Sequence, residues 1–190
     1  MRLNDPHVTG FEFEGIEYQI DLAFDNVLDV FDVLGDKTLR EHERAVICLA
    51  LLLGDAQYDK ATTIELWNHV YEQFIHIKNE QPIEYDLKGN PLPVQSDDEK
   101  EKVIDLEQDA EYIFASFKQA YGMNLYEEQG KLHWHEFQAL LNGLPSDTIM
   151  KRIIEIRTWK PSKGDSGEYK KAMEDLQRRF ALEDDREEVD

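Results

Sequence analysis

The single thiol of the chain, Cys48, lies in the run AVICLALLL (residues 45–53), where a small buried hydrophobe fits better than a nucleophile or a metal ligand. His133 and His135 flank Trp134. Such a pair can supply two metal ligands from a strand, but on a helix the side chains point about 200° apart and cannot share an ion. His69 and His76 fall on one helical face two turns apart, too far to ligate together, and read as surface or interface residues. The run Asp55-Ala-Gln-Tyr-Asp59 alternates acidic and amide groups as a calcium loop does. Its sixth position is Lys60 in place of a turn-forming Gly and its twelfth is Leu66 in place of a bidentate Glu, so it reads as a capped loop. Asp97, Asp98 and Glu99 read as first-turn charges complementing a helix dipole. With no Gly-rich phosphate loop, nucleophile elbow or zinc spacing, these residues point away from an enzyme, and no cofactor or metal is expected.

What is left is surface chemistry. The formal net charge is −20 over 190 residues, with 33% charged and 41% hydrophobic residues, which implies a folded core under a very wet acidic surface. A phosphate backbone is repelled by that charge, so nucleic acid is disfavoured as a partner, and basic protein surfaces are attracted. No apolar stretch approaches the length of a membrane span, and one cysteine allows no disulfide within the chain, so a reducing, cytoplasmic setting without membrane contact is expected.

The elements that carry this surface are mostly helical. Residues 11–20 (FEFEGIEYQI) alternate about Glu14-Gly15 as a short β-hairpin does, and Phe11, Phe13, Ile16, Tyr18 and Ile20 need helices to pack on. Asp25 can cap a helix bearing Val27, Val30, Phe31 and Leu34 that stops at Gly35. A capping-box pattern at Thr38–Glu41 opens a helix with Ala45, Val46, Leu49, Leu52 and Leu53, whose long apolar run suggests a central, largely buried place. Thr62–Glu65 repeats the box before a helix whose Ile64, Trp67, Tyr71 and Phe74 form a narrow stripe suited to one long neighbour, inside the fold or from a partner. Residues 80–98 break the pattern with Pro, Gly and Asn and read as a hairpin-like loop insert.

Ser96–Glu99 then caps the longest helix, carrying Val103, Leu106, Ala110, Ile113, Phe117 and Ala120 to Gly122, about 35–40 Å at 1.5 Å per residue. Residues 132–157 form two amphipathic helices back to back. Trp134, Phe137, Leu140, Leu141 and Leu144 make one stripe, and Ile149, Ile153 and Ile156 the other; Ser146 and Asp147 are placed to cap the second. The short joint predicts an antiparallel pair with facing stripes. Residues 160–167 read as a linker to a C-terminal helix with Tyr169, Met173, Leu176 and Phe180 on one face. Between Lys160 and Phe180 six basic and four acidic residues give +2, while 183–190 form an acidic tail. The expectation is a mainly α chain: a helical bundle of six to seven helices with a small N-terminal β-hairpin. A domain over residues 1–159 would be followed by the linker, C-terminal helix and tail of 160–190.

Three stretches carry a resemblance: Asp109-x-x-Tyr112-Ile-x-x-Ser116-Phe117-x-x-x-Tyr121-Gly-Met-Asn-Leu125, then Leu132-His-Trp134-x-x-Phe137-x-Ala-Leu-Leu141-x-Gly143-Leu144, then Ile153-Ile-x-Ile156-Arg157. Over residues 8–159 the chain resembles the "Gp-fifteen" proteins of long-tailed bacteriophages that infect Gram-positive bacteria. The resemblance implies a tail assembly chaperone that keeps the tape measure protein soluble while major tail (tube) protein subunits polymerise around it. Its place would be the host bacterial cytoplasm during assembly, and it would be absent from the mature virion. Candidate partner contacts are Trp67, Tyr71 and Phe74, or the Tyr112, Phe114 and Tyr121 side of the long helix, with Tyr169 and Phe180 on the C-terminal helix; self-association is a further expected contact. The alternative is a small acidic adaptor or inhibitor that binds a basic host protein surface.

Overall fold

The computed structural model of the chain describes residues 6–55, 58–76 and 103–183. Among these residues it is mainly helical, with seven α-helices, one π-helical segment and a two-stranded antiparallel hairpin. The expected insert at 80–98 and the acidic tail from 184 onward lie outside the described residues. The chain divides into two compact units, Met1–Asn79 with Tyr126–Leu140, and Glu80–Leu125 with Leu141–Asp190. This division differs from the expected domain over 1–159, because the helices of 132–157 commit to different neighbours.

In the first unit, β1 (Gly10–Phe13) pairs with β2 (Ile16–Gln19), matching the alternation in the sequence. Both central turn residues, Glu14 and Gly15, have positive φ (50° and 77°), the turn whose twist suits a two-residue hairpin. The register sets Phe11 opposite Tyr18 and Phe13 opposite Ile16 on one face, and Glu12 opposite Glu17 on the other. Phe11 lies against His69 and Phe74, and Phe13 against His69, so the apolar face finds the helical cover a lone hairpin lacks.

Helices α1 (Phe24–Gly35) and α2 (Glu41–Leu53) satisfy one another's ends. Arg44 Nη1 donates to Leu34 O at the end of α1, while Asn26 Nδ2 donates to Leu51 O and the Asp21 N–H to Leu52 O at the end of α2. Those carbonyls have no partner inside their own helices. The segment leading into α1 also forms a bridge to the entrance of α5 (Trp134–Asn142), with Phe24 N–H donating to Leu132 O and Trp134 N–H to Leu22 O. Phe24 stacks on Phe137 and Phe31 tilts against Trp134, which is 1% exposed. The aromatic residues of α5 are thus packed on α1.

Helix starts differ from the expected caps. Asp25 accepts from the Gly130 N–H and α1 begins after Ala23; α2 begins after Arg40, whose N–H donates to Glu43. Helix α3 (Lys60–Val70) begins one turn earlier than the Thr62 box, because Asp59 accepts from the Ala61 and Thr62 N–H groups. It runs into a π-helical turn, Tyr71–Ile75. The extra residue moves the buried position from 74 to 75: Thr63, Leu66, Trp67, Val70 and Ile75 are buried, while Tyr71 and Phe74 are half-buried.

In the second unit, α4 (Ala110–Tyr121), α6 (Ile149–Thr158) and α7 (Gly167–Phe180) pack together, α6 against both of the others. Ser116 Oγ accepts from the Met150 N–H at the buried start of α6, which opens at Thr148 and not at Ser146. The expected long helix is shortened. Asp105 accepts from the Glu107 and Gln108 N–H groups, Asp109 accepts from the Asp105 N–H, and residues 106–109 turn before α4 begins. The reason lies across the unit. Arg157 holds the Asp109 carboxylate with both Nη atoms (2.6 and 2.8 Å), and Nη1 also reaches Val103 O. A continuous helix would keep the Val103 carbonyl for itself.

Asp109 is 1% exposed and Arg157 11%, so neither charge has water to fall back on. Replacing Arg157 with Met is expected to lower the unfolding free energy by about 3–5 kcal/mol, by leaving a buried carboxylate alone. The double replacement Asp109→Leu/Arg157→Met should recover most of that loss in urea titrations. A single-variant loss under about 1 kcal/mol would mean the pair is a surface-like bridge.

Candidate partner-binding surface

The candidate contact residues are distributed over both units with very different exposure. Trp67 is buried in the first unit, and Tyr71 lies half-buried against Trp67 and His76. Phe74 is half-buried under the hairpin. In the second unit Tyr112 and Phe114 are half-buried, with Tyr112 edge-on to Phe180, itself half-buried. Tyr121 (38% exposed) meets the edge of Phe117, and Tyr169 (48%) stands edge-on to Trp159. Of the eight, only Tyr121 and Tyr169 are more than about a third exposed.

Other apolar groups lie open where the sequence reading placed core. On α2, Val46 and Ile47 are 43% and 36% exposed, with half-buried Ala50, Leu51 and Leu53 continuing the same side of the helix. This corrects the expectation of a largely buried helix. The signal was present, since an unbroken run of nine apolar residues is wider than one packed stripe and some of it must face outward. Tyr126 (73%) and Ile16 (57%) at the hairpin tip add to the open apolar surface of the first unit.

Cys48 is fully buried, its Sγ directed at Val30 O, and burial pushes its thiol up to about 12, so it carries almost no thiolate. Among the described residues no group of three or more His, Cys, Asp or Glu is placed to hold a metal ion, and no helix is long and apolar enough to cross a membrane.

His133 and His135 differ from the expected geometry. Their rings stack at 5.3 Å because His133 precedes α5 and is not helical, and His7 also stacks on His133 at 4.9 Å. His133 acts as the cap of α5: its Nδ1 accepts from the His135 N–H, and the carboxylate of Glu136 accepts from the His133 N–H. This is a reciprocal capping box with a neutral imidazole in place of a hydroxyl. Glu136 also lies 3.4 Å from His7. Burial holds both His133 and His135 below the ordinary histidine value, with neighbouring positive charge lowering them further.

A family model described as Bacteriophage Gp15 protein matches residues 3–182, nearly the whole chain and both compact units. Comparison with curated proteins and with solved structures gave no match in either case.

Protonating His133 removes the acceptor that caps α5 and sets a cation at a helix N-terminus. Because both histidines bind protons less readily folded than unfolded, their contribution is at its best above 6.5, the unperturbed value, and is lost as pH falls from there through the lowered folded values. Urea midpoints should fall between about pH 6.5 and 5. The His133→Asn/His135→Gln variant should flatten that slope; an unchanged slope would assign the loss to other groups. Asp36, Glu43 and Asp59, held low by hydrogen bonds, act in a separate window at and below the ordinary carboxylate range.

Proposed function

The chain belongs to the bacteriophage Gp15 protein family, and from that premise we propose that it is a tail assembly chaperone that binds the tape measure protein, keeps it soluble and helps recruit tail-tube subunits. It would work without catalysis in the host cytoplasm and leave before the virion is complete. Family membership carries the reading and makes the chain a phage structural or assembly protein; the physical features below support the finer role.

A chaperone for a long helical protein needs apolar surface that takes residues at three- and four-residue spacing, and charge that keeps the coated complex dispersed. Val46 and Ile47, with Ala50, Leu51 and Leu53, offer an open apolar helix face of that kind. The net charge of −20 supplies the dispersion. Tyr121 and Tyr169 are the open aromatic contacts of the second unit, whereas Trp67 supports the fold beneath any contact surface.

Co-expression with the long helical open reading frame beside the gene tests this directly. The chain should raise the soluble yield of that partner and co-purify with it in several copies. Val46→Glu/Ile47→Glu, at positions already in water, should leave the far-UV circular dichroism intact and drop the soluble yield toward the level seen without the chain. A partner that precipitates equally with and without the wild-type chain overturns the reading, and capture of a single basic host protein would then favour an acidic adaptor.

A further inference from the structure

Helix α7 is fastened in an unusual way. It has no buried residue, whereas α1, α2, α3, α4 and α6 each have at least two. On its apolar face Met173, Leu176 and Phe180 are half-buried, and Tyr169 is exposed. What holds it is a set of polar contacts to main chain. Gln177 Nε2 reaches three carbonyls at and just past the end of α6, those of Ile156 (3.0 Å), Arg157 (3.4 Å) and Trp159 (2.9 Å); that of Ile156 also accepts from the Trp159 N–H. Arg157 Nε donates to Phe180 O at 2.6 Å. Gln108 pairs with the main chain of Glu183 in both directions, accepting from its N–H and donating to its O. Two aromatic edges, Tyr112 on Phe180 and Trp159 on Tyr169, complete the seat.

These contacts are specific in position and small in buried apolar area, the combination that lets an element leave and return without disturbing a core. The connection from α6 runs from Trp159 to Ser166 without helix or strand, includes Pro161 and Gly164, and is almost wholly exposed. At about 3.3 Å per residue these eight residues reach about 26 Å when extended.

We propose that α7 is an exchangeable helix: the seat formed by Gln108, Tyr112, Arg157 and Trp159 takes the α7 of a second copy of this chain as well as its own, linking copies through their C-terminal helices. Register selects a second copy over a foreign helix. A foreign helix must place an amide side chain, a free carbonyl and a following main-chain pair in register with three fasteners, and a second copy does so by identity. In dilute solution a copy's own α7 competes at the millimolar effective concentration of a short flexible tether, so exchange grows where copies are crowded.

The test needs no other protein, and its failure would leave the chaperone reading standing. Chains carrying Trp159→Cys are mixed with chains carrying Tyr169→Cys and treated with a short bismaleimide; Cys48 stays out of reach in the core. A mixed cross-link should be scarce at about 10 µM and rise at least about tenfold toward 1 mM, the range set by the tether. A control chain with both replacements should cross-link within itself at every concentration. Removing residues 160–165, so that α7 cannot fold back, should give dimers or larger species by light scattering at micromolar concentration. If the control reacts while no mixed product forms at any concentration, α7 serves its own chain alone and the proposal fails. A shortened-linker chain that folds yet stays monomeric overturns it equally.

Discussion

Arg157 uses all three of its guanidinium nitrogens, and each segment of the second unit that it touches takes its course from that fact. The fork of Nη atoms holds Asp109 and Val103 O, which bends the approach to α4, while Nε holds the carbonyl of Phe180 at the end of α7. A buried ion pair of this kind contributes little net stability compared with well-packed hydrophobic residues. What it contributes is a unique geometry, because a planar fork with five fixed donors accepts one arrangement of acceptors. Removing water from the carboxylate makes that arrangement obligatory.

The local signals in the sequence were sufficient wherever the deciding contacts are local. The alternation over residues 11–20 with Glu14-Gly15 at its centre gave the hairpin and its register, and Gly35 and Gly122 lie at or next to the ends of the helices they were expected to stop. Where two signals compete, position was not legible. Asp59 and Thr62 can each cap α3, and the aspartate wins because its carboxylate reaches two N–H groups and the Thr62 hydroxyl at once. The start of α4 depends on a partner 48 residues away, which no window of helical periodicity contains.

Surface was harder to read than core, for a related reason. An apolar stripe states that a helix has something to bury, and leaves open which flank of the stripe is covered. Trp67 and Tyr121 look alike in spacing, yet one is enclosed by its own unit and the other faces water. Val46 sits next to Ala45 in sequence and opposite to it in environment, 43% against 1% exposed. The aromatic offsets that carry the family resemblance include Phe117, Trp134 and Phe137, all buried, so the same residues that identify the chain are those that hold it together.

The outer face of the hairpin sets Glu12 directly opposite Glu17. The hydrogen bond from Ile20 N–H to Thr9 O fixes the phase of the ladder, and places that pair where no ladder bonds join the strands and side chains stand nearest one another. Repulsion across the pair weakens the hairpin itself. Two-stranded sheets also leave the outward backbone groups of both strands open to further pairing, the usual seed of fibrous aggregates. A second hairpin that approached edge to edge would bring two more carboxylates into the same row. The charge that strains one hairpin therefore keeps many hairpins apart.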